Sequence, residues 1–291
     1  MEEHDHPTGH ACELEKGERF AFGSNWAKFL AVVDEERIAL AARSLAGMLE
    51  VEDLSGKTFL DVGCGSGLFS LAARRLCAAV RSFDFDGESV TCALELKRRF
   101  APEDPDWIIE EGSILDDEYV SRLGSWDVVY SWGVLHHTGR LWDSLDAACK
   151  LVVPGGRLFV AIYNDQGRRS RRWLTVKKTY NALPRPLRWV LLVGTLLRLW
   201  GPTILRDALS GRPLSTWSRY GANGRGMSPW RDVVDWAGGL PFEVAKPEEV
   251  FDFCRERGFR LARLKTAGGG HGCNEYVFVK CRHAAADAET P

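Results

Sequence analysis

The chain has 291 residues, 45% of them hydrophobic, and carries a formal net charge of −2 at pH 7. It is long and apolar enough to bury one sizeable core, with room for an inserted subdomain. The near-neutral charge and the lack of a recognisable nucleic-acid module argue against a nucleic-acid partner. The eight scattered cysteines form no C-x-x-C pair, which predicts reduced thiols and a cytoplasmic location rather than a disulfide framework.

The first 55 residues precede the first predicted strand. Residues 1–18 are polar and predict a flexible tail, with a metal site at its histidines and Cys12 as the alternative. This polar start does not predict a signal peptide. Residues 19–55 predict an N-terminal helical cap, because apolar residues recur at helical spacing between 26 and 51.

A glycine-rich turn follows the first predicted strand. Residues 58–62 are apolar apart from Thr58 and Asp61, and Gly63, Gly65 and Gly67 come directly after them. Glycine allows a tight turn and a close approach by a ligand. A helix predicted from Leu68 would offer free N–H groups and a positive dipole end to that ligand. The pattern predicts a nucleotide or cofactor site at the carboxyl end of a parallel strand.

The spacing of these glycines bears on which cofactor is bound. The dinucleotide fingerprint is G-x-G-x-x-G, whereas here the third glycine is Gly67 and Leu68 stands at the fingerprint position. Asp61 lies two residues before the first glycine, where a carboxylate would not help to bind a pyrophosphate. The turn therefore favours a cofactor that carries positive charge.

The second predicted strand, residues 80–84, ends in Asp84. A carboxylate about 20 residues beyond the glycine turn can accept hydrogen bonds from both hydroxyls of a ribose. Asp86 is the alternative, but we expect it to cap a helix over residues 87–100.

Further motifs follow in order along the next 60 residues. A third strand, residues 107–110, leads into Gly112 and Ser113, and a fourth strand, residues 126–131, leads into His136 and His137. A helix over 142–151, a Pro-Gly-Gly turn and a fifth strand over 157–163 complete the region. The alternation of helices and strands favours a doubly wound parallel sheet.

Over residues 57–163 these motifs and their spacings resemble those of the class I S-adenosylmethionine (SAM) methyltransferases, most closely the small-molecule, quinone-methylase-like group. The resemblance implies a doubly wound, Rossmann-like α/β fold. Its sheet would have seven mostly parallel strands, the last one antiparallel, with an α-helical lid insertion. It also implies that SAM is the cofactor and S-adenosylhomocysteine the product.

The resemblance assigns roles to individual residues. Gly63, Gly65 and Gly67 would wrap the methionine and ribose part of SAM, and Asp84 would bind the ribose. Ser113 stands where relatives often have the aspartate that contacts the adenine amine. The neighbouring positions complete the expected cofactor site: Asp61, Cys64, Phe85, Ile114, Ser131 and Trp132. Trp26 would either cover the cofactor or pack on the flank of the sheet.

The segment 168–206 contains ten Lys and Arg residues and no Asp or Glu. Its apolar run, 189–200, is shorter than the roughly 20 residues that span a bilayer; we expect its helix to end at Gly201-Pro202. Three interpretations stay open: a lid over SAM and substrate, a site for an anionic substrate, and a membrane-surface helix over 184–201 that collects a lipid-soluble acceptor.

The last part of the chain predicts a helix over 246–257 and a final antiparallel strand pair, 259–265 and 276–280. The loop between these strands is glycine-rich and contains His271, which suggests a residue facing the substrate. The expected domains are a SAM-binding core at 56–165, a helical lid at 166–245, the C-terminal part of the core at 246–282 and a flexible tail at 283–291.

The predicted activity is transfer of a methyl group from SAM to a small molecule, with oxygen favoured as the acceptor atom. The acceptor would be a sugar, a phosphorylated compound or another secondary metabolite, and the alternative is a lipid or quinone at the membrane surface. Alignment would supply much of the acceleration, and a histidine would act as general base. The candidate bases are His271, His137 and His136. The candidate substrate contacts are Trp26, Tyr130, Tyr163, Asn164, Arg172 and Tyr220.

Two other function classes stay open at this point. An NAD(P)-dependent oxidoreductase would need the missing third glycine, and a SAM-binding module without enzymatic activity would show no turnover. We see no metal-ligating triad in the sequence, so no metal ion is expected.

Overall fold

The computed structural model describes residue 30, residues 33–223 and 229–268, residue 270 and residues 272–282. Seven strands in this part of the chain form one sheet with the order β3-β2-β1-β4-β5-β7-β6. The strands are β1 Thr58–Val62, β2 Ala79–Asp84, β3 Trp107–Glu111, β4 Trp126–Trp132, β5 Val152–Tyr163, β6 Phe259–Lys265 and β7 Cys273–Lys280.

The sheet is parallel except at β7. Strands β1 to β5 pair in parallel, and β7 pairs antiparallel with both β5 and β6. The predicted doubly wound sheet with an antiparallel last strand is therefore confirmed. β5 starts five residues earlier than predicted, because residues 153–156 continue the strand.

The sheet is flanked by helices along its length. They are α1 Glu35–Leu49, α2 Leu68–Arg75, α3 Gly87–Phe100, α4 Asp117–Arg122, α5 Leu141–Lys150, α6 Arg168–Ala182, α7 Arg188–Leu209, α8 Ser215–Asn223, α9 Pro229–Gly238 and α10 Pro247–Glu256. Single 3₁₀ turns occupy Leu135–His137 and Arg185–Leu187. Helices α6 to α9 all lie between β5 and β6, over the positions expected for the insertion.

Alternating strand residues build a hydrophobic core on each face of the sheet. On one face, Phe59 and Val128 pack with the buried residues of α1, α2 and α3. On the other, their sequence neighbours Leu60 and Val129 pack with α5 and α10. Both faces are covered, as a parallel sheet requires.

Helix α3 begins where the sequence predicts. The Asp86 carboxylate accepts a hydrogen bond from the Glu88 N–H at 3.0 Å, so Asp86 is the N-cap of this helix. Asp86 therefore caps α3, whereas Asp84 is the last residue of the preceding strand.

The predicted end of α7 at Gly201-Pro202 is wrong, because the helix continues through Pro202 to Leu209. Proline removes one backbone hydrogen bond and crowds the preceding turn, but the other bonds of a 22-residue helix persist. Of the helices in the described ranges, α7 included, none combines the length and apolarity needed to cross a bilayer.

Candidate functional site

The glycine turn after β1 lies against the end of β2. Gly63, Gly65 and Gly67 have φ angles of 75°, 54° and 78°, a region that side chains with a Cβ rarely adopt. The N–H groups of Gly63 and Cys64 both donate to the Phe83 carbonyl, at 2.9 and 3.0 Å. The turn is thus fixed to the neighbouring strand before it enters α2.

Two of these glycines are also required by packing. A Cβ at Gly63 would overlap the γ-methyl groups of Val134, which follows β4. A Cβ at Gly67 would lie 3.0 Å from the Cβ of Ala93 on α3. The turn is therefore packed between the segment after β4 and the helix after β2.

Asp84 connects β2 to the glycine turn. One carboxylate oxygen accepts a hydrogen bond from the Gly65 N–H at 2.8 Å, and the other accepts from the Asp86 N–H at 3.0 Å. The residue is partly exposed. Each carboxylate oxygen can accept more than one hydrogen bond, so this geometry is compatible with the ribose-binding role that the sequence predicts.

Asp61 lies beneath the turn, with only 2% of its surface exposed. Its carboxylate accepts a hydrogen bond from the Ser70 hydroxyl at 2.5 Å. The chain of bonds continues through Ser82 to the Trp107 indole, which donates to the Ser82 hydroxyl at 2.8 Å. Burial raises the pKa of Asp61 to about 7.

The network beneath the turn was not foreseen, although Asp61 was a predicted cofactor residue. Ser70, Ser82 and Trp107 belong to three different elements, and no local pattern links them. The network connects β1, α2, β2 and β3 directly under the glycine turn.

The remaining predicted cofactor residues have different environments. The Ser113 hydroxyl, just past the end of β3, accepts a hydrogen bond from the Leu115 N–H at 3.2 Å. Ser131 is buried and donates to the Val62 carbonyl at 3.0 Å, so it joins β4 to β1. Ile114 lies in the core. Three residues are partly buried: Cys64, Phe85 and Trp132.

The two adjacent histidines after β4 have opposite hydrogen-bond patterns. His136 is fully buried, and its Nδ1 accepts a hydrogen bond of 3.4 Å from the Tyr163 N–H. The Nδ1 of His137 lies 2.6 Å from the Pro241 carbonyl. A carbonyl only accepts, so Nδ1 of His137 carries a proton, whereas the neutral His136 ring carries its proton on Nε2.

The protonation state of His136 follows from its surroundings. Burial, together with the nearby titratable groups of His137 and Lys177, holds the pKa of His136 well below its ordinary value. The imidazole is therefore neutral at physiological pH.

Aromatic rings surround the histidine pair. The ring of Tyr163 is centred 3.9 Å from that of His136 and 5.4 Å from that of Trp236. The fully buried Lys177 donates to the Trp236 carbonyl at 2.5 Å, and its Nζ lies 4.7 Å from the centre of the Phe242 ring.

Sequence reasoning missed Lys177, Trp236 and Phe242. A weak signal exists for Lys177, because Ser170, Lys177 and Tyr180 recur at helical spacing and are the buried residues of α6. The other two come from segments far away in sequence, and nothing local marks them.

The other predicted substrate residues are spread over the molecule. Tyr130 lies in the core, with its ring 5.2 Å from that of Phe69. Arg172 is exposed on α6, and the Tyr220 ring lies 5.1 Å from that of Trp200. The Asn164 side chain accepts a hydrogen bond from the Asn274 amide at 3.0 Å. His271 and Trp26 lie outside the described residues.

The glycine turn and the histidine pair meet at the switch point of the sheet. β1 pairs with β2 on one side and with β4 on the other, so the connections from β1 and β4 leave in opposite directions. Open α/β sheets bind ligands in the crevice at this position. No group of three His, Cys, Asp or Glu residues that could hold a metal ion occurs within the part of the chain that the structure covers.

Comparisons with known proteins identify the family of the chain. A family model described as a methyltransferase domain matches residues 33–208. The ubiquinone biosynthesis O-methyltransferase of Caulobacter vibrioides is 30% identical over 200 residues, which are 66% of this chain and 71% of that protein. The enzyme of the same name from Cronobacter sakazakii is 28% identical over 175 residues, 58% of this chain and 67% of that protein.

Solved structures share the fold. The magnesium protoporphyrin IX methyltransferase from Synechocystis PCC 6803, crystallised with S-adenosylhomocysteine, superposes with a TM-score of 0.51 at 15% identity. The superposition covers 84% of this chain and 82% of that one. PKMT2 from Rickettsia typhi also gives 0.51, at 14% identity, over 80% of this chain and 50% of that one. The chain belongs to the class I SAM-dependent methyltransferases, in the small-molecule group whose motifs its sequence carries.

Proposed function

We propose that this methyltransferase transfers the methyl group to a hydroxyl oxygen of a small-molecule acceptor. The observation that carries the proposal is the His137 ring, which is held by the Pro241 carbonyl with its lone pair on Nε2. The relatives that are named O-methyltransferases support the choice of oxygen. SAM, when bound, supplies an electrophilic methyl group on a sulfonium.

The residues at the switch point fit this cofactor. The positive-φ glycines bring the backbone of 63–67 close to a ligand. The carboxylate of Asp84 stands at the end of β2, where it can accept hydrogen bonds from ribose hydroxyls while it holds the Gly65 N–H. The Ser113 hydroxyl at the end of β3 would contact the adenine.

His137 is the proposed general base. A hydroxyl loses its proton more readily to a positioned imidazole, whose pKa is suited to neutral conditions. The Pro241 carbonyl fixes the ring through Nδ1–H and so directs the basic lone pair to Nε2. His136 has the reverse pattern, because its Nδ1 accepts from Tyr163, so it suits a donor role. His271 remains a candidate on sequence grounds alone.

Replacing His137 with asparagine tests this assignment. The Asn amide can still donate to the Pro241 carbonyl, but it cannot take up a proton. Using the best acceptor from a panel of phenols, sugars and hydroxy acids, we expect kcat to fall about 100-fold or more. SAM affinity, measured by calorimetry, should stay within about twofold, since no cofactor contact is lost. A variant that turns over at the wild-type rate would remove His137 from catalysis.

The second candidate function is methylation of a lipid-soluble acceptor at a membrane surface. A specific observation favours it: helix α7 presents large apolar side chains that are 40–81% exposed. They are Trp189, Val190, Val193, Leu197, Leu205 and Leu209. The exposed cations Arg198 and Arg206 lie on the same helix. An apolar surface with neighbouring positive charge is typical of helices that bind anionic bilayers.

Vesicle sedimentation distinguishes this candidate from a freely soluble acceptor. The wild-type protein should sediment with vesicles that contain phosphatidylglycerol, and L197E with L205E should abolish this binding. The control is L94E, because Leu94 is 48% exposed but belongs to α3 and not to α7. Equal sedimentation of wild type and both variants would exclude α7 as a membrane contact.

A further inference from the structure

The buried ring of His136 has an N–H group that donates to none of the residues that the structure describes. Its Nδ1 accepts from the Tyr163 N–H, so its proton resides on Nε2. Nε2 is buried and has no hydrogen-bond partner within the described residues. Leaving a buried donor unsatisfied costs about 1–3 kcal/mol, so such a group calls for an explanation, for example a catalytic role or a bound ion.

A buried lysine side chain lies near this donor. The Lys177 side chain is fully buried, and its Nζ contacts the Trp236 carbonyl and the faces of the Trp236 and Phe242 rings. The charge is close enough to help lower the pKa of His136. A carbonyl and two ring faces stabilise an ammonium group, and in a dry environment its attraction for an anion is far stronger than in water.

The flat ring of Tyr163 completes the arrangement. It lies 3.9 Å from the His136 ring and 5.5 Å from the Phe242 ring, at the carboxyl end of β5. The donor and Lys177 therefore lie near the carboxyl end of β5, among rings on which a planar molecule can pack.

We propose that His136 and Lys177 form a subsite for an oxyanion carried by the acceptor, a carboxylate or a phosphate. The Nε2–H of His136 would donate to one oxygen, and the Lys177 ammonium would supply the neutralising charge. This inference rests on the proposed function, because it places the acceptor at the carboxyl ends of β4 and β5. It assigns the anion to Lys177 instead of Arg172, which is exposed on the same helix.

The subsite can be tested in the full-length protein saturated with S-adenosylhomocysteine. The probes are benzoate and inorganic phosphate, with benzamide as the uncharged analogue of benzoate. Calorimetry should detect at least one of the two anions, with a Kd that rises tenfold or more in Lys177→Met. The matched control is Lys178→Met, since Lys178 is the exposed neighbour of Lys177; it should bind the anion as the wild type does. Benzamide should bind equally to all three proteins.

An NMR titration of the wild-type protein gives a second measurement that does not depend on how the variants fold. The bound anion should shift the Nε2 resonance of His136 in a saturable way. Preference for benzoate would identify a carboxylate acceptor, and preference for phosphate a phosphorylated one.

The proposal is overturned if neither anion binds, or if benzamide binds as tightly as benzoate and phosphate does not bind. An anion affinity that is the same in Lys177→Met and wild type would overturn it as well. Failure of the proposed function looks different: no hydroxyl compound would be methylated, whatever the anion affinity.

Discussion

Replacing Asp84 with alanine should weaken SAM binding at least tenfold, which corresponds to about 1.4 kcal/mol, in a protein that still folds. The variant loses the acceptor proposed for the ribose hydroxyls. It also loses the carboxylate that orients the Gly65 and Asp86 N–H groups. Because both losses affect the same crevice, the effect on the cofactor should exceed the effect on stability. Titration calorimetry with SAM and urea denaturation measure the two effects separately.

Asp86→Asn is the matched control for this experiment. Asn caps helices about as well as Asp, so the cap on the Glu88 N–H is kept while a carboxylate two residues from Asp84 is removed. SAM affinity should stay near the wild-type value. A folded Asp84→Ala protein with unchanged SAM affinity would show that the ribose is bound elsewhere.

Replacing Gly63 with alanine should destabilise the protein by about 3 kcal/mol. One part is the cost of a positive φ at a residue with a Cβ, roughly 1–2 kcal/mol. The other is the overlap of the new Cβ with Val134, since overpacking costs about 1–3 kcal/mol. The free energy of unfolding, measured by urea denaturation, gives the sum.

Gly133→Ala separates the two parts. Gly133 has the same φ of 75° as Gly63, but a Cβ there would meet nothing within 4 Å. It should therefore cost only the backbone part, about 1–2 kcal/mol. Adding Val134→Ala to Gly63→Ala should recover some stability. Equal losses at Gly63 and Gly133 would mean that the contact with Val134 has no cost.

The cofactor half of the site could be predicted from the sequence because its signals are local. The signals are a glycine turn directly after an apolar strand and a carboxylate at the end of the next strand. Both fall within about 25 residues of chain. The mostly parallel sheet and its antiparallel last strand followed from the resemblance to the family. The Asp86 cap could be read in the same way.

The acceptor half could not be predicted to the same extent. His136 and His137 stand out in the sequence, but their opposite tautomers depend on Tyr163 and Pro241, which other segments bring to them. Tyr130 was expected to face the substrate, yet strand alternation turns it into the core beside Phe59. Residue type alone does not say which face of a strand or helix is buried against which neighbour.

Pro202 illustrates a different reason for failure. The Gly201-Pro202 pair was expected to end a helix on propensity alone. The helix continues, because one lost backbone bond is a small part of the hydrogen bonding in α7. Its extra length adds Leu205 and Leu209 to the exposed apolar surface of the helix. A helix that ended at residue 201 would not include them.

A crystal structure with bound S-adenosylhomocysteine would show whether the turn at residues 63–67 and Asp84 hold the cofactor. We expect both ribose hydroxyls to lie within hydrogen-bonding distance of the Asp84 carboxylate and the homocysteine part to pack against residues 63–67. The sulfur should face the side of the crevice that holds His136 and His137. A product molecule bound away from this turn, or a ribose out of reach of Asp84, would contradict this placement of the cofactor.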